Sequence, residues 1–207
     1  MINIIGLGYI GLPTALMFAT HGTEVVGTDY NTQLVHELNA GRTTFKEEGL
    51  DQLFEEALGK GITFTTDYQV TDTYIIAVPT PYDKCNKKID PAYVISAVEN
   101  VLLVCPKGAC IIIESTVSPG TIDRYIRPMI ESKGFVIGKD VHLVHAPERI
   151  IPGNMVYELK HNSRTIGADS QEIAVRIKEL YGTFCQSEIV TTDIRTAEMT
   201  KVVENTF

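Results

Sequence analysis

Positive charge is in deficit in this sequence: 18 Lys and Arg stand against 26 Asp and Glu over 207 residues, a formal net charge of -8. That balance argues against nucleic acid or an anionic membrane as the main partner, and an anionic ligand must be held by local donors rather than drawn in by the overall field. Cysteine is also sparse. The four cysteines, Cys85, Cys105, Cys110 and Cys185, form no CxxC pair and no His/Cys cluster. No metal site and no disulfide framework is expected, and reduced thiols are the default. No apolar run approaches the length of about 20 residues that spans a bilayer, and no charged-then-apolar leader precedes the first apolar segment. With 44% hydrophobic and 21% charged residues the composition is that of a globular protein, expected to be cytoplasmic. There is no internal repeat and no low-complexity segment.

What is present begins at the amino terminus. A short apolar strand (Ile2 to Ile5) runs into Gly6, Gly8 and Gly11, then into a helix-period segment (Ala15, Leu16, Phe18, Ala19), and a second apolar strand from Glu24 to Gly27 leads to Asp29. This is the strand, glycine turn, helix and strand of a dinucleotide-binding unit. Gly6 permits the tight turn, Gly8 lets a pyrophosphate approach bare backbone, and Gly11 lets the helix lie close on the strand. Tyr9 and Ile10 belong to the same cofactor loop, and the phosphates are expected at the helix amino end, where the first amides lack internal partners. Pro13 is tolerated in that first turn because the donor it lacks would be an orphan there. Asp29 stands where a carboxylate accepts hydrogen bonds from the adenosine ribose. It would repel the extra phosphate of NADP, and Tyr30 and Asn31 offer no compensating cation, so the expected cofactor is NAD. The bland alternative is a turn of this kind with no ligand.

Further along, Leu34, Val35 and Leu38 suit a short helix ended near Gly41, and another helix is expected from Gly49 to Leu58. Ile62 to Thr65 and Tyr74 to Val78 read as strands, the second stopping at Pro79, Thr80 and Pro81. The polar stretch Tyr82 to Asp90 reads as a mobile loop, and Asp90-Pro91 starts a helix carrying Val94, Ile95, Val98, Val101 and Leu102. Cys110 to Ile113 reads as a core strand ending in Glu114, Ser115 and Thr116, followed by a helix from about Thr121 to Ser132. Val141 to Val144 ends in His145, Ala146, Pro147, Glu148 and Arg149. Arg164 to Gly167, Ser170 to Tyr181 and Glu188 to Thr191 read as strand, helix and strand. From Asp193, which can cap, the segment to Phe207 reads as helix with no stop signal. The expected fold is an α/β, doubly wound, mostly parallel Rossmann-type sheet. Residues 1–193 form the NAD-binding domain and 194–207 the start of a longer helix, so the chain reads as a fragment. In such a sheet ligands bind beyond the carboxyl ends of the strands.

Lys201 and Asn205 lie four residues apart and project from one helix face. A lysine and an amide together suit stabilisation of a developing alkoxide, with the lysine also able to handle a hydroxyl proton. Taken alone, the pair could equally be a solvated surface feature.

GLGYIGLP (Gly6 to Pro13), VPTP (Val78 to Pro81), ESTVSPGT (Glu114 to Thr121), HAPERIIPG (His145 to Gly153) and RTAEMTKVVENTF (Arg195 to Phe207) fall in order over essentially the whole chain. Together they resemble the UDP-glucose/GDP-mannose dehydrogenase family of nucleotide-sugar 6-dehydrogenases. The resemblance implies oxidation of a primary alcohol at C6 of the sugar to a carboxylate in two hydride transfers, using two NAD. It implies that Lys201 and Asn205 stabilise the oxyanion and that Glu148 assists proton transfer or thioester hydrolysis. Thr116 would hold a catalytic water and approach the nicotinamide, and Pro79 and Thr80 would lie against the cofactor. Structural readings stand beside these: Thr116 as a cap of the next turn, Glu148 as an ion-pair partner of Arg149, Thr80 as a turn residue.

Within the family, UDP-glucose enzymes typically read PEF after the sixth strand with a second glutamate four residues on. Here Glu148 is followed by Arg149, and Pro152 takes the second glutamate's place. PERxxPG is similar to the branch acting on N-acetylated sugars, above all UDP-N-acetyl-D-mannosamine. UDP-glucose, GDP-mannose and UDP-N-acetylglucosamine or galactosamine are the alternative substrates. The family's nucleophilic cysteine, in a glycine-rich GxCxxxD-type block, has no counterpart in this sequence, nor do the rest of the central helix that makes the homodimer and the substrate-binding carboxyl-terminal domain. Without a thiolate the aldehyde cannot be held for the second oxidation. The fragment itself is therefore expected to bind NAD and be inactive. By resemblance the intact enzyme would serve polysaccharide biosynthesis. Two rival readings are a β-hydroxyacid dehydrogenase, which leaves VPTP and PERIIPG unexplained, and a non-catalytic NAD-sensing module.

Overall fold

A computed structural model describes residues 1–84 and 88–204. In chain order the elements are β1 (Ile2–Ile5), α1 (Gly11–Thr20), β2 (Val25–Thr28), α2 (Thr32–Asn39), α3 (Leu50–Gly59), β3 (Thr63–Thr65), β4 (Thr73–Ile76), β5 (Tyr82–Asp83), β6 (Lys88–Ile89), α4 (Ala92–Val104), β7 (Ala109–Ile113), a π-helical turn (Ile122–Ile126) leading into α5 (Arg127–Ser132), β8 (Val141–His145), α6 (Met155–His161), β9 (Arg164–Ala168), α7 (Gln171–Tyr181), β10 (Ile189–Thr192) and α8 (Ile194–Glu204). No helix among the described residues is long and apolar enough to cross a membrane.

The main sheet has 8 strands in the order β10, β9, β8, β7, β4, β1, β2, β3. All neighbours pair in parallel except β8 and β9, where Val144 faces Ala168 and His145 faces Gly167 in antiparallel register. The mostly parallel, doubly wound expectation is met, and the reversal at β9 has a consequence for the site. It brings the first residue of that strand, Arg164, to the carboxyl ends of the parallel ones. Strands β1, β4 and β7 are buried along their whole length. Sheets covered on both faces require such continuous apolar runs. Helices α1, α3, α6 and α7 cover one face around Leu16, Phe18, Phe54 and Tyr181. Helix α4 and the segment from Ile122 to Ile130 cover the other, joined by Ile194 of α8.

The chain runs outward through β1, β2 and β3, then returns to place β4 beside β1. That reversal is the switch point at which open α/β sheets hold their ligands.

Three local features depart from the expected elements. The stretch Tyr82 to Asp90 contains an antiparallel hairpin, Tyr82 opposite Ile89 and Asp83 opposite Lys88; Cys85 lies outside the described residues. The helix expected from Thr121 starts with a π turn because Pro128, next in the helix, has no amide to close the α-helical bond to Arg124, and the wider turn accommodates it. Helix α6 was not anticipated, its seven residues being too short for a clear apolar period. The cap at Asp193 is present: its carboxylate accepts the Thr196 amide at 2.8 Å and the Thr196 hydroxyl at 2.6 Å.

Candidate cofactor and catalytic site

The glycine turn joins β1 to α1 at the switch point. Gly6 has φ +90°, and a Cβ there would lie 2.8 Å from the Ala77 carbonyl oxygen at the end of β4. Only glycine fits a position that is both left-handed and pressed on the neighbouring strand. At Gly11 a Cβ would lie 1.8 Å from the Gly6 carbonyl oxygen, so the helix starts in direct contact with its own turn. Gly8 differs from both. It is exposed, and nothing lies within 4 Å of its would-be Cβ. The bare backbone at Gly8 therefore faces open space in front of an α1 amino terminus that has no side-chain cap. That is the cradle a pyrophosphate requires.

Asp29 is buried at the end of β2, where its Oδ2 accepts the Leu7 amide at 2.8 Å and its Oδ1 accepts the Asn31 amide at 2.9 Å. The carboxylate is thus fixed against the glycine turn, and each oxygen keeps a lone pair for a hydroxyl donor. Asn31 caps α2 through the Gln33 and Leu34 amides. Tyr30 is exposed. No basic side chain intervenes at these two positions. Tyr9 turns its ring onto Phe45, 5.3 Å between centroids, and donates its hydroxyl to Glu47 at 2.5 Å. Burial, with Glu47 adding to it, raises its pKa to about 12. Glu47 also accepts the Gly153 amide at 2.9 and 3.0 Å, so the cofactor loop and the PERIIPG segment are joined through one carboxylate. Ile10 is half-buried at the start of α1.

The loops beyond β4 and β7 are locked together. Thr80 donates to the Thr116 carbonyl at 2.8 Å and Ser115 donates to the Val78 carbonyl at 2.7 Å, with Pro79 exposed between them. Thr116 is half-buried, and the following helical turn begins at Thr121 without a side-chain cap.

Beyond β8, Glu148 is buried and paired with the Arg164 guanidinium, not with that of Arg149, which reaches Glu204 at 2.8 Å and Ser163 at 3.0 Å. Arg149 contributes only its backbone amide to Glu148, at 2.5 Å. Lys201 is 8% exposed. Burial holds its pKa below the ordinary lysine value, while Glu148 and Glu204 pull it back up. Asn205 lies outside the described residues.

Three buried residues near this edge were given no role from the sequence. Glu198, fully buried on α8, accepts the Gly120 amide at 2.6 Å and the Ile122 amide at 3.0 Å. It stands one helical turn before Lys201, so its spacing carried a signal. Glu114 and Arg164 pair at 3.1 Å beneath Glu148. Only the antiparallel placement of β9 brings that arginine to the site.

Helix α8 reaches this edge by crossing Gly167, where a Cβ would lie 2.6 to 2.7 Å from Asp193, Ile194 and Ala197. Ala197 is buried in this crossing, whereas Val202 and Val203 are exposed.

Residues 1–185 match the model of the NAD-binding domain of the UDP-glucose/GDP-mannose dehydrogenase family. Over 210 residues the chain is 40% identical to a UDP-N-acetyl-D-mannosamine dehydrogenase of Methanococcus vannielii, covering 100% of this chain and 47% of that protein. The fold is similar to that of a UDP-N-acetyl-mannosamine dehydrogenase from Staphylococcus aureus, with TM-score 0.92 and 44% identity over 99% of this chain and 50% of the other. A UDP-D-ManNAc dehydrogenase from Pyrococcus horikoshii gives TM-score 0.91 and 38% identity, over 100% and 50% of the two chains. The chain thus spans about half the length of the relatives it matches.

Proposed function

Because the chain belongs to the UDP-glucose/GDP-mannose dehydrogenase family, with NAD as its cofactor, we propose that it is the NAD-binding part of a nucleotide-sugar 6-dehydrogenase whose substrate is UDP-N-acetyl-D-mannosamine. The product is the corresponding uronate, formed with two NAD. The observation that carries this reading is the buried Lys201 set against Glu148 at the strand edge that also bears the glycine cradle. Similarity to two UDP-N-acetyl-mannosamine dehydrogenases and the PERIIPG sequence favour the N-acetylmannosamine substrate over UDP-glucose, GDP-mannose and the other N-acetylated sugars.

When bound, NAD supplies the hydride acceptor. The exposed backbone of Gly8 and the uncapped start of α1 would hold its pyrophosphate, with Tyr9, Ile10, Gly6 and Gly11 shaping the cradle. Asp29 would accept from its adenosine ribose, and Pro79, Thr80 and Thr116 would contact the nicotinamide part. Removing a hydride from an alcohol carbon requires the hydroxyl proton to leave as well, and negative charge develops on that oxygen. A buried ammonium is suited to hold that charge, since its field is little screened there. Lys201, with its affinity for a proton weakened by burial, takes the hydroxyl proton onto its neutral amine and then, as the ammonium so formed, holds the charge on the oxygen. Asn205, one turn on, supplies a second donor. Glu148, ion-paired and oriented by Arg164 and the Arg149 amide, keeps negative charge beside Lys201 and assists proton transfer.

The second oxidation needs a thiolate. Cys110 is buried with its thiol pushed up to about 12, Cys185 is buried against the Asn162 carbonyl, and Cys105 is half-buried with its pKa raised by desolvation. None of these three is an activated nucleophile. The 207-residue chain alone is therefore proposed to bind NAD and form no uronate. In the intact protein, residues 1–193 form the cofactor domain and α8 opens the helix through which two copies pair.

The test is turnover of the full-length protein against a panel of nucleotide sugars, following NADH. UDP-N-acetyl-D-mannosamine is expected to give the highest kcat/KM. Reduction supported by UDP-glucose alone would overturn the substrate assignment, and uronate made by the 207-residue chain would overturn the role given to the missing thiolate.

A further inference from the structure

Below the sheet edge, two carboxylates converge on one guanidinium. Arg164 pairs with Glu114 through one terminal nitrogen, at 3.1 Å, and with Glu148 through the other. Its Cζ lies 4.4 Å from the centroid of the Tyr181 ring on α7 and 5.7 Å from that of Phe184, so the cation rests against two neighbouring aromatic rings. Glu114, Glu148 and Arg164 are all at most 5% exposed. Water therefore offsets little of the charge.

Ionised together, the two carboxylates outnumber their shared cation. Lys201 is a further cation on the Glu148 side, but it closes no ion pair with either carboxylate, so within the paired cluster one cation serves two acids. An unbalanced charge in such a place costs several kcal/mol, and the usual relief is to neutralise one group. The hydrogen bonds identify which one. The Oε1 of Glu114 accepts from Arg164 and, at 3.3 Å, from the Tyr181 hydroxyl. Its Oε2 is buried without a partner, and so is the Thr14 hydroxyl of α1, which approaches it without closing an ordinary hydrogen bond. The Thr14 hydroxyl could donate to an ionised Oε2, which favours the carboxylate, or accept from a protonated one; two buried carboxylates on one guanidinium decide for the second, in which the acid donates to Thr14 while its carbonyl oxygen keeps Arg164 and Tyr181. Glu148 has no comparable vacancy, because its two oxygens take Arg164 and the Arg149 amide.

We propose that Glu114 and Glu148 share a single proton across Arg164, with Glu114 the protonated member, so that Glu114 is a positioning residue that keeps Glu148 ionised and turned toward Lys201. Burial moves the Glu114 carboxyl to about 7, Arg164 opposing the rise and Glu148 adding to it. The groups facing the pair are Thr14 from α1, Tyr181 from α7, Arg164 from β9, Cys185 after α7 and Lys201 from α8. Above neutrality Glu114 ionises and competes with Glu148 for Arg164, loosening the carboxylate that the lysine needs. The inference rests on Glu148 belonging to the sugar-oxidising site.

Carboxyl-carbon NMR of the 207-residue chain, with isotopically labelled glutamate, tests it without turnover. One signal, identified by its loss in Glu114→Gln, is expected to titrate with a midpoint of about 7. In Glu148→Gln that midpoint should fall by about one pH unit or more, because the like charge has gone. Glu114→Gln, whose amide can donate to Thr14 as the acid does, should fold and bind NAD. A Glu114 signal that stays ionised throughout, or a midpoint indifferent to Glu148→Gln, would overturn the shared proton and leave the family reading untouched. The expected titration in an intact protein inactive on every nucleotide sugar would instead overturn its catalytic meaning.

Discussion

The Glu198 carboxylate accepts the Gly120 amide at 2.6 Å across 78 residues of sequence, fastening the lysine-bearing helix to the turn that follows β7. With the Ile122 amide on its other oxygen, at 3.0 Å, this carboxylate fixes how far α8 can slide over the sheet edge. Lys201 lies one turn further along the same helix, so its placement beside Glu148 depends on this fastening.

Glu198→Ala leaves both amides without their acceptor. A loss of about 2–6 kcal/mol of stability is expected, on the order of 1–3 for each of the two donors abandoned. Calorimetric unfolding measures it. Lys201 should also become more reactive toward an amine-acylating reagent, read by mass spectrometry of the labelled peptide. Unchanged labelling in a destabilised variant would show that Glu198 braces the turn without positioning the lysine.

The glycines of the cofactor turn are expected to separate by their surroundings. Gly8→Ala meets nothing within 4 Å and should change stability by no more than about 0.5 kcal/mol. It should weaken NAD binding at least about tenfold, because the methyl group occupies the phosphate's place. Gly11→Ala, with its Cβ 1.8 Å from the Gly6 carbonyl oxygen, should destabilise the fold itself by about 3 kcal/mol or more. Isothermal calorimetry with NAD and thermal unfolding, run on both variants, distinguish the two. Equal NAD affinity in Gly8→Ala and the parent would remove the pyrophosphate from this cradle.

Asp29→Ala should weaken NAD more than NADP. The variant loses a ribose acceptor, but it also loses the charge that repels the extra phosphate. The same change frees the Leu7 and Asn31 amides from their acceptor and should cost about 1–3 kcal/mol of stability. Calorimetric titration with each dinucleotide gives the ratio of affinities, and a ratio that stays constant would show that Asp29 only braces the turn.

Two buried groups are expected to shape stability against pH in opposite directions. Glu114 keeps its proton to about 7 when folded against 4.5 in the unfolded chain, so the folded state binds the extra proton and stability falls as pH rises through that interval. His145, whose Nε2 is buried without a partner, is pushed down by burial to about 4 from 6.5. There the unfolded state binds the extra proton, and stability is lost as pH falls through that interval. Where the intervals overlap the slopes nearly cancel, each being about 1.4 kcal/mol per pH unit. Glu114→Gln removes one of them. Its stability should rise by roughly 3 kcal/mol between pH 4 and 6.5, and denaturant unfolding across that range should show the parent nearly flat. Parallel curves for the two proteins would contradict the assignment.

The order of elements and the cofactor turn were legible in the sequence because both are local. Gly6 and Gly8 lie in the one loop between β1 and α1 and Gly11 opens that helix, while Asp29 directly follows the next strand. Strand edges and the cap at Asp193 likewise depend on neighbouring residues. The hairpin within Tyr82 to Asp90 and the π turn before Pro128 were less visible. The first is made of two-residue strands that leave no alternation to read, and the second depends on which amide is missing rather than on which side chains are apolar.

By itself the sequence determined that a dinucleotide cradle stands at the switch point of a doubly wound sheet, since glycine's freedom at positive φ and a carboxylate at the end of the next strand act within 30 residues of one another. Only the tertiary structure decided the partners of the charged groups. The reversed strand β9 delivers Arg164 to Glu148 and Glu114, and the crossing of α8 at Gly167 delivers Lys201 to the same edge. In water each of these ions would be satisfied alone. Burial makes their charge depend on what faces them, and that is fixed by packing between segments far apart in the chain.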